Sequence, residues 1–469
     1  MIGNVTSLSG TVHAAIDHAR RSHQSCVVSK IEELNRIQPP LDFYQHAGRR
    51  YSGQRCYWSD SSGELQLVGA GIAATISTQS EDAAVQVRQA QARLFRNAYT
   101  LGTQRVAGTG PIFLGGFSFD SKKERAEMWQ NFGSAYFILP EFLLTVHHGR
   151  CYLTHTILCR PNDDVAERVG ALEAQPHELF NNVFHAEPDT HDQQLLDQND
   201  HDQDTWCRLV AEAVQTLQET PMKKIVLARA RSLIYQRKLS RHALLRVLSE
   251  QQKGTCIFCL EKGSAAFIGA TPERLIKKSG RSIESACLAG SAARGKTQQE
   301  DDEFGKWLLN DGKNLKEHQY VVESVRDALN ALCTSLSIPK QPVLMKNKNI
   351  QHLYTPVKGR CKSATSLIDL VARLHPTPAL GGLPKKDAMA WIRTHEAMDR
   401  GFYASPIGWV DSGDHGEFDV GIRAALLRGN EAVLFAGCGV LADSDPIQEY
   451  QETDVKFQPM QHALMRGTL

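Results

Sequence analysis

Lys224 opens the run Lys-Ile-Val-Leu-Ala-Arg229, whose alternation puts Lys224, Val226 and Ala228 on one face of a short strand. If that face is interior, desolvation disfavours the ammonium and moves the lysine toward general-base chemistry. Read from this segment alone, it is a solvated lysine at a strand end. Glu317 begins a helical pattern continued by Val321, Val325, Leu329 and Leu332, which puts its carboxylate on the inward side, where a cation or donors must meet it. The alternative is a rim glutamate that favours a helix N-terminus. Further on, Asp445-Pro446 gives a helix start with proline at its first position, and Glu449 and Glu452 then share a face. Carboxylates from distant segments, with no matching cysteine or histidine cluster, suit a hard ion such as Mg²⁺. Spacing alone does not bring them together.

Other segments are rich in special backbone residues: His375-Pro-Thr-Pro-Ala-Leu-Gly-Gly382, Ala289-Gly290-Ser291 and Ala436-Gly-Cys-Gly439. Their N–H groups can cradle a carboxylate, although ordinary turns use the same residues. Arg423, inside the strand-like Val420–Leu426, is the natural bidentate clamp for such a group; without one it is a surface arginine. Two patterns imitate a nucleotide loop, Gly69-Ala-Gly71 and Gly437-Cys-Gly439. The second is stopped by Asp445-Pro446, which leaves little room for the helix of a βαβ unit. Cys256 and Cys259 form a lone CxxC, and on a strand residues three apart face opposite ways, so they read as buried structural thiols rather than zinc ligands.

The elements that must position these groups come from the periodicity. Leu65–Ile72, Pro111–Phe119 and Cys151–Leu158 read as strands, and Val85–Arg96 as a helix between them. Residues 187–204 are acidic and nearly free of large apolar side chains, as in a solvated linker. Trp206, Leu209, Val210, Val214 and Leu217 then mark an amphipathic helix ended by Pro221. The chain therefore divides into an N-terminal half, 1–204, and a C-terminal half, 205–469, in an α+β arrangement.

Composition limits what the site can serve. With 53 Lys+Arg against 52 Asp+Glu the formal charge is +1, so no global field holds nucleic acid or an anionic membrane, and a small, locally bound substrate fits better. The eleven scattered cysteines suit a reducing compartment. Neither a basic-then-apolar N-terminal leader nor a run of about eighteen apolar residues is present, so cytoplasmic residence is the expectation.

Taken together, the segments from Lys224 to Lys456 resemble the chorismate-utilising enzymes, the family of isochorismate, salicylate, anthranilate and aminodeoxychorismate synthases. The resemblance rests on Lys-Ile-Val-Leu-Ala-Arg229, Ile268-Gly-Ala-Thr-Pro-Glu-Arg-Leu275, Leu288-Ala-Gly-Ser291, Lys316-Glu-His318, His352-Leu-Tyr-Thr355, the His375 loop, Arg423, Ala436-Gly-Cys-Gly439 and Glu449-Tyr-Gln-Glu-Thr453. It implies a four-layer α+β fold, two packed β-sheets flanked by helices, with a cleft in the C-terminal half.

By position, Lys224 resembles the base that activates water and Glu273 the acid that protonates the departing hydroxyl. Glu317 and Glu452 resemble the main Mg²⁺ ligands, with Glu449 close by. Gly290, Ser291, Tyr403, Arg423, Gly437, Gly439 and Lys456 match substrate-binding positions, and His352 a pocket position. The implied reaction is water attack at ring C2 of chorismate with loss of the C4 hydroxyl, by a monomer or weak homodimer. Ala289 stands where aminodeoxychorismate synthases carry a nucleophilic lysine, and Ala379 where salicylate synthases typically have threonine. Lys224 is the base lysine that anthranilate synthases lack. These positions point to isochorismate formation. Trp58-Ser-Asp-Ser-Ser-Gly-Glu-Leu65 and Gly115-Gly-Phe-Ser-Phe119 look like the menaquinone branch. The rivals are a salicylate synthase, a siderophore-pathway isochorismate synthase and a silent chorismate-binding subunit.

Two positions depart from expectation. Asn314 stands where relatives often have an acidic residue. Glu273 follows Thr271-Pro272, a helix-start signature, and a helix N-terminus would lower a carboxyl pKa that an acid needs raised.

Overall fold

In the computed structural model the described residues are 7–103, 106–174, 176, 179–180, 194–200, 202–346 and 350–466. They form one sheet of thirteen strands and one of ten. Strands such as Arg55–Ser59 and Cys256–Lys262 are buried on both faces, which is why they read as nearly continuous apolar runs rather than as alternation. The sheets pack against each other: Trp58 of the larger meets Trp409 of the smaller edge-on, ring centroids 6.0 Å apart. Phe117, Phe137 and Phe418 of the smaller sheet share that core with Phe258 and Phe267 of the larger.

A second core lies on the other face of the larger sheet, under helices Pro40–Tyr51, Arg241–Gln251 and Pro446–Arg466. Helices Ala83–Phe95, Gly312–Asn330 and Leu367–Leu374 pack against the smaller sheet, completing four layers. Cys256 and Cys259 are both buried, one in each core, as opposite faces of one strand require.

Apart from the edge strand Leu195–Asp200, strands from before and after residue 204 meet at one seam in each sheet. Arg55–Ser59 pairs with Cys256–Lys262 in the larger, and Ile112–Phe117 with Pro406–Asp411 in the smaller. In the C-terminal half two of the chain's steps between sheets lie side by side. Ala265–Thr271 lies in the larger sheet and Arg274–Ser279 in the smaller, while Gly416–Val420 lies in the smaller and Ala424–Arg428 in the larger. The crossings are stitched together by Val420 N donating to Glu273 O at 2.9 Å and Ala270 N to Arg423 O at 3.2 Å.

Three sequence expectations are corrected here. Glu273 does not start a helix; Pro272-Glu273 is the first crossing, and Glu273 N is taken by Thr271 Oγ1 at 3.2 Å. Arg423 is not inside a strand but in the second crossing, with φ +50°, a left-handed conformation uncommon for a non-glycine residue. The acidic linker is not a plain loop: residues 187–193 lie outside the described set, but Leu195–Asp200 forms a strand. Arg229 and Arg231 hold it by binding Asp200 at 2.6 and 2.9 Å. The helices Ala83–Phe95 and Gln203–Glu219 and the strands Leu65–Ala70, Ile112–Phe117 and Arg150–Cys159 fall where the periodicity puts them. Among the described residues no helix is long and apolar enough to cross a membrane.

Candidate active site

The strand Lys224–Tyr235 pairs antiparallel with Glu431–Val440, opposing Val226 to Gly439 and Ala228 to Gly437. The two glycines make room above this pair. A Cβ on Gly439 would lie 2.5 Å from Lys224 Cε, and one on Gly437 3.3 Å from the Tyr403 hydroxyl. Lys224 is thereby held inside the protein, 2% exposed, which overturns its reading as a solvated strand end. Its Nζ donates to Glu317 Oε1 at 2.6 Å. Glu317 comes from the helix Gly312–Asn330. The rotation of that helix is fixed by the next residue, His318, whose ring bonds Ala289 O at 3.2 Å and Thr355 Oγ1 at 2.7 Å.

These groups border a cavity of about 200 Å³ that also takes in Glu273, Gly290, Ser291, His352, Ala379, Tyr403, Arg423, Gly437, Glu452 and Lys456. Of the residues assigned a role from sequence, only Glu449 is missing from its wall. Glu449 Oε1 instead accepts from Ser444 Oγ at 2.8 Å, and its carboxyl also faces the thiol of Cys438. Burial, with the Glu452 charge, raises its pKa. Glu452 Oε1 and the carbonyl of Gly437 accept from Lys456 Nζ at 2.6 and 2.8 Å, and that lysine keeps the Glu452 carboxyl below its usual range.

Glu273 enters from the first crossing and Arg423 from the second. Burial pushes the Glu273 carboxyl up to about 7, more than Lys224, Arg423 and Lys456 pull it down. The helix-dipole objection therefore falls away, since no helix begins there. Arg423 finds no carboxylate within ion-pair distance among the described residues, so a guanidinium faces the cavity with its fork open. His352 is buried beside Ser291, Nδ1 to Oγ 2.7 Å, and burial takes its imidazole down to about 3, so at neutral pH it is an uncharged polar wall.

Two wall residues escaped the sequence reading, Asn314 as a participant and Arg400 altogether. Arg400 is buried, binds Glu396 at 2.6 and 2.7 Å and donates to Leu380 O and Val226 O. Glu396 in turn accepts from Ala228 N at 2.9 Å. The pair takes the place of a neighbouring strand where the short Gly382–Leu383 strand stops beside Ile225. In the sequence it is an i,i+4 Glu and Arg, indistinguishable from an exposed helical pair.

For a metal, the donors facing the cavity are of the right kind: carboxylate oxygens from two helices, with no thiolate or imidazole set competing. They do not converge. Among the described residues no three histidine, cysteine, aspartate or glutamate side chains gather at one point, because Glu317 is held by Lys224, Glu452 by Lys456 and Glu449 by Ser444. The set fits a hard ion that keeps several waters better than a closed protein cage.

Chemically, the cavity combines a buried lysine, a carboxyl that is half protonated near neutral pH, and cations able to hold anionic groups. A small dianion that undergoes proton transfer at two sites would match it.

Comparison with known proteins is consistent with this reading. The family profile described as chorismate binding enzyme matches residues 14–465. The isochorismate synthase MenF of Bacillus subtilis is 36% identical over 456 residues, 96% of each chain. A salicylate biosynthesis isochorismate synthase of Pseudomonas aeruginosa is 34% identical over 98% of this chain and 94% of its own. The solved structure of the menaquinone-specific isochorismate synthase MenF from Escherichia coli superposes with a TM-score of 0.77. It covers 97% of this chain and 100% of that one, and at 23% identity shows the shared fold.

Proposed function

The chain belongs to the chorismate-binding enzyme family, and from that membership we infer that it is an isochorismate synthase, an isomerase that interconverts chorismate and isochorismate. One observation of the site carries the reading: Lys224 and Glu273 border the same small cavity, the lysine buried and the carboxyl pushed up to about 7. Those are the two proton-handling groups that a water-for-hydroxyl exchange needs.

Lys224 takes a proton from the attacking water as oxygen bonds to C2. The ring double bonds shift, the C4–O bond breaks, and Glu273 gives its proton to the departing hydroxyl, which leaves as water. Ring atoms and oxidation level are conserved, and proton exchange with solvent, from Lys224 and to Glu273, resets both residues for the next turnover. Chorismate carries two carboxylates, and the open guanidinium of Arg423 together with Lys456 supports an anion site on one side of the cavity. Tyr403, stacked on Phe435 with centroids 5.3 Å apart, offers a fixed hydroxyl. Gly290, Ser291, Gly437 and Gly439 let the backbone approach the ligand, and His352 bounds it as a neutral group.

Glu317 and Glu452 are the residues that would hold Mg²⁺, with Glu449 behind them. When bound, the ion would neutralise and orient a substrate carboxylate. We place the product in menaquinone synthesis. The end-to-end match to the Bacillus enzyme supports this, as does an N-terminal half whose strands share both sheets with the catalytic half. The eleven free thiols suit the reducing cytoplasm.

The test is to incubate the purified protein with chorismate, with and without Mg²⁺, and separate the products. Isochorismate with little pyruvate is expected. Stoichiometric pyruvate would identify a salicylate synthase, and unchanged chorismate a silent binding protein.

A further inference from the structure

Asn314 is the third residue of the helix that carries Glu317, and its side chain faces two ways. The backbone N–H and Nδ2 of Asn314 both donate to Asp311 Oδ2, at 2.9 and 2.8 Å, so Asp311 caps the helix and holds this side chain at once. The same carboxamide presents Oδ1 to the N–H of Ser291 at 3.2 Å, across the cavity wall. Ser291 sits just past a register shift between Ala289 and Ser291 in the pairing with Ile350–Cys361, and Gly290 within it has φ +77°. A Cβ on Gly290 would lie 3.0 Å from Asn314 Oδ1, so the bulge and the carboxamide are fitted to each other. From Ser291 the chain of bonds continues through Oγ to His352 Nδ1 at 2.7 Å.

We propose that Asn314 is a positioning residue that locks the Gly290-Ser291 bulge, on the substrate side of the cavity, to the N-terminus of the helix bearing Glu317. Both ends of the amide are needed. The Nδ2 donor satisfies Asp311, and the Oδ1 acceptor satisfies Ser291; a carboxylate at 314 keeps the second bond and turns the first into a contact between two like charges. The inference rests on the isochorismate synthase reading for its kinetic consequence but not for its structural one.

The experiment compares Asn314→Asp with the swap Asp311→Asn/Asn314→Asp, in which the like charges are gone, Asn at the cap can turn Nδ2 to the new carboxylate in exchange for its bond from the 314 N–H, and Ser291 keeps its acceptor. In the ligand-free protein, hydrogen exchange of residues 288–292 should quicken about tenfold in the single variant and return to within about twofold of native in the swap. With chorismate, the KM of Asn314→Asp should rise about tenfold while kcat stays within about threefold, and the swap should recover the KM. Asn314→Ala, which removes both bonds, should resemble the single variant. The inference is overturned if Asn314→Asp lowers the Mg²⁺ concentration for half-maximal binding in calorimetry with exchange at 288–292 unchanged, since position 314 would then act toward the ion. A swap no better than the single variant overturns it too, as does a loss of cooperative melting that the swap does not restore. A native protein that leaves chorismate untouched fails the functional reading alone, because the exchange measurements decide the bridge without substrate.

Discussion

Glu261 and Glu273 are both buried glutamates at the larger sheet, and they are treated in opposite ways. Glu261, 0% exposed, receives Arg55 Nη2 at 2.7 Å, Gly53 N at 2.7 Å, Arg241 Nη1 at 3.1 Å and the hydroxyl of Tyr44. Burial alone would raise its pKa, but Arg55 and Arg241 overturn that and hold it below its ordinary value. No donor reaches the carboxyl of Glu273 among the described residues, and burial prevails. A buried charge with every oxygen partnered is a brace between the helix Pro40–Tyr51, the seam strands and the helix Arg241–Gln251. A buried acid left without partners is held ready for a ligand.

The contrast fixes opposite signs with pH. Glu261, with a lowered folded pKa, contributes stability above its unfolded value that is lost as pH falls through the folded one. Glu273, with a raised pKa, leaves the fold most stable below its unfolded value near 4.5 and withdraws that stability as pH rises toward about 7.

The largest expected effect belongs to the cavity side. Lys224→Ala should lower turnover by about two to four orders of magnitude with melting nearly unchanged; near-normal turnover would end its assignment as base. On the brace side, Arg55→Ala should reverse the pattern, losing about 3 kcal/mol or more in urea unfolding while the folded fraction keeps its KM. Should Arg55→Ala instead alter KM at unchanged stability, the two sites are not separate.

Glu273→Gln sharpens the comparison further. The variant should be inactive yet more stable than native by up to about 3 kcal/mol at pH 8, a gain that disappears near pH 4.5. Equal stability at both pH values would mean the carboxyl is not raised. Glu317→Gln and Glu452→Gln, followed by Mg²⁺ titration of activity, should each raise the requirement about tenfold by replacing an anionic ligand with an amide. Titrations that match native in both variants would leave these carboxylates as partners of Lys224 and Lys456 only. The smallest change expected is in Ala379→Thr, where an added hydroxyl at the wall should yield detectable salicylate and pyruvate from an enzyme that otherwise releases isochorismate. If the variant stays clean, Ala379 does not set the outcome.

Legibility in the sequence followed the kind of order that holds each residue. Groups on regular elements, such as Lys224 on its strand or Glu317 and Glu452 on helices, had a face that periodicity could assign, although not whether the face was covered. Glu273 and Arg423 were placed by resemblance, and their local structure was misread, because a crossing between sheets has no period and Thr-Pro-Glu imitates a helix start. Glu449 shares a helical face with Glu452, yet Ser444 draws its carboxyl away, a contact no spacing encodes. The Glu396 and Arg400 brace was missed since its sequence signature is that of a solvated pair.

The two seams have a consequence for how the molecule is made. Arg55–Ser59 can pair early with Leu65–Ala70, and Ile112–Phe117 with Ala135–Leu139, but the other edge of the first stays unpaired until Cys256–Lys262 has been synthesised and that of the second until Pro406–Asp411. At about 5–20 residues per second the first wait alone lasts on the order of ten to forty seconds, during which an apolar strand edge stands open beside the ribosome. Neither half of the chain can finish its own sheets, so the cavity exists only after translation has passed the last seam strand.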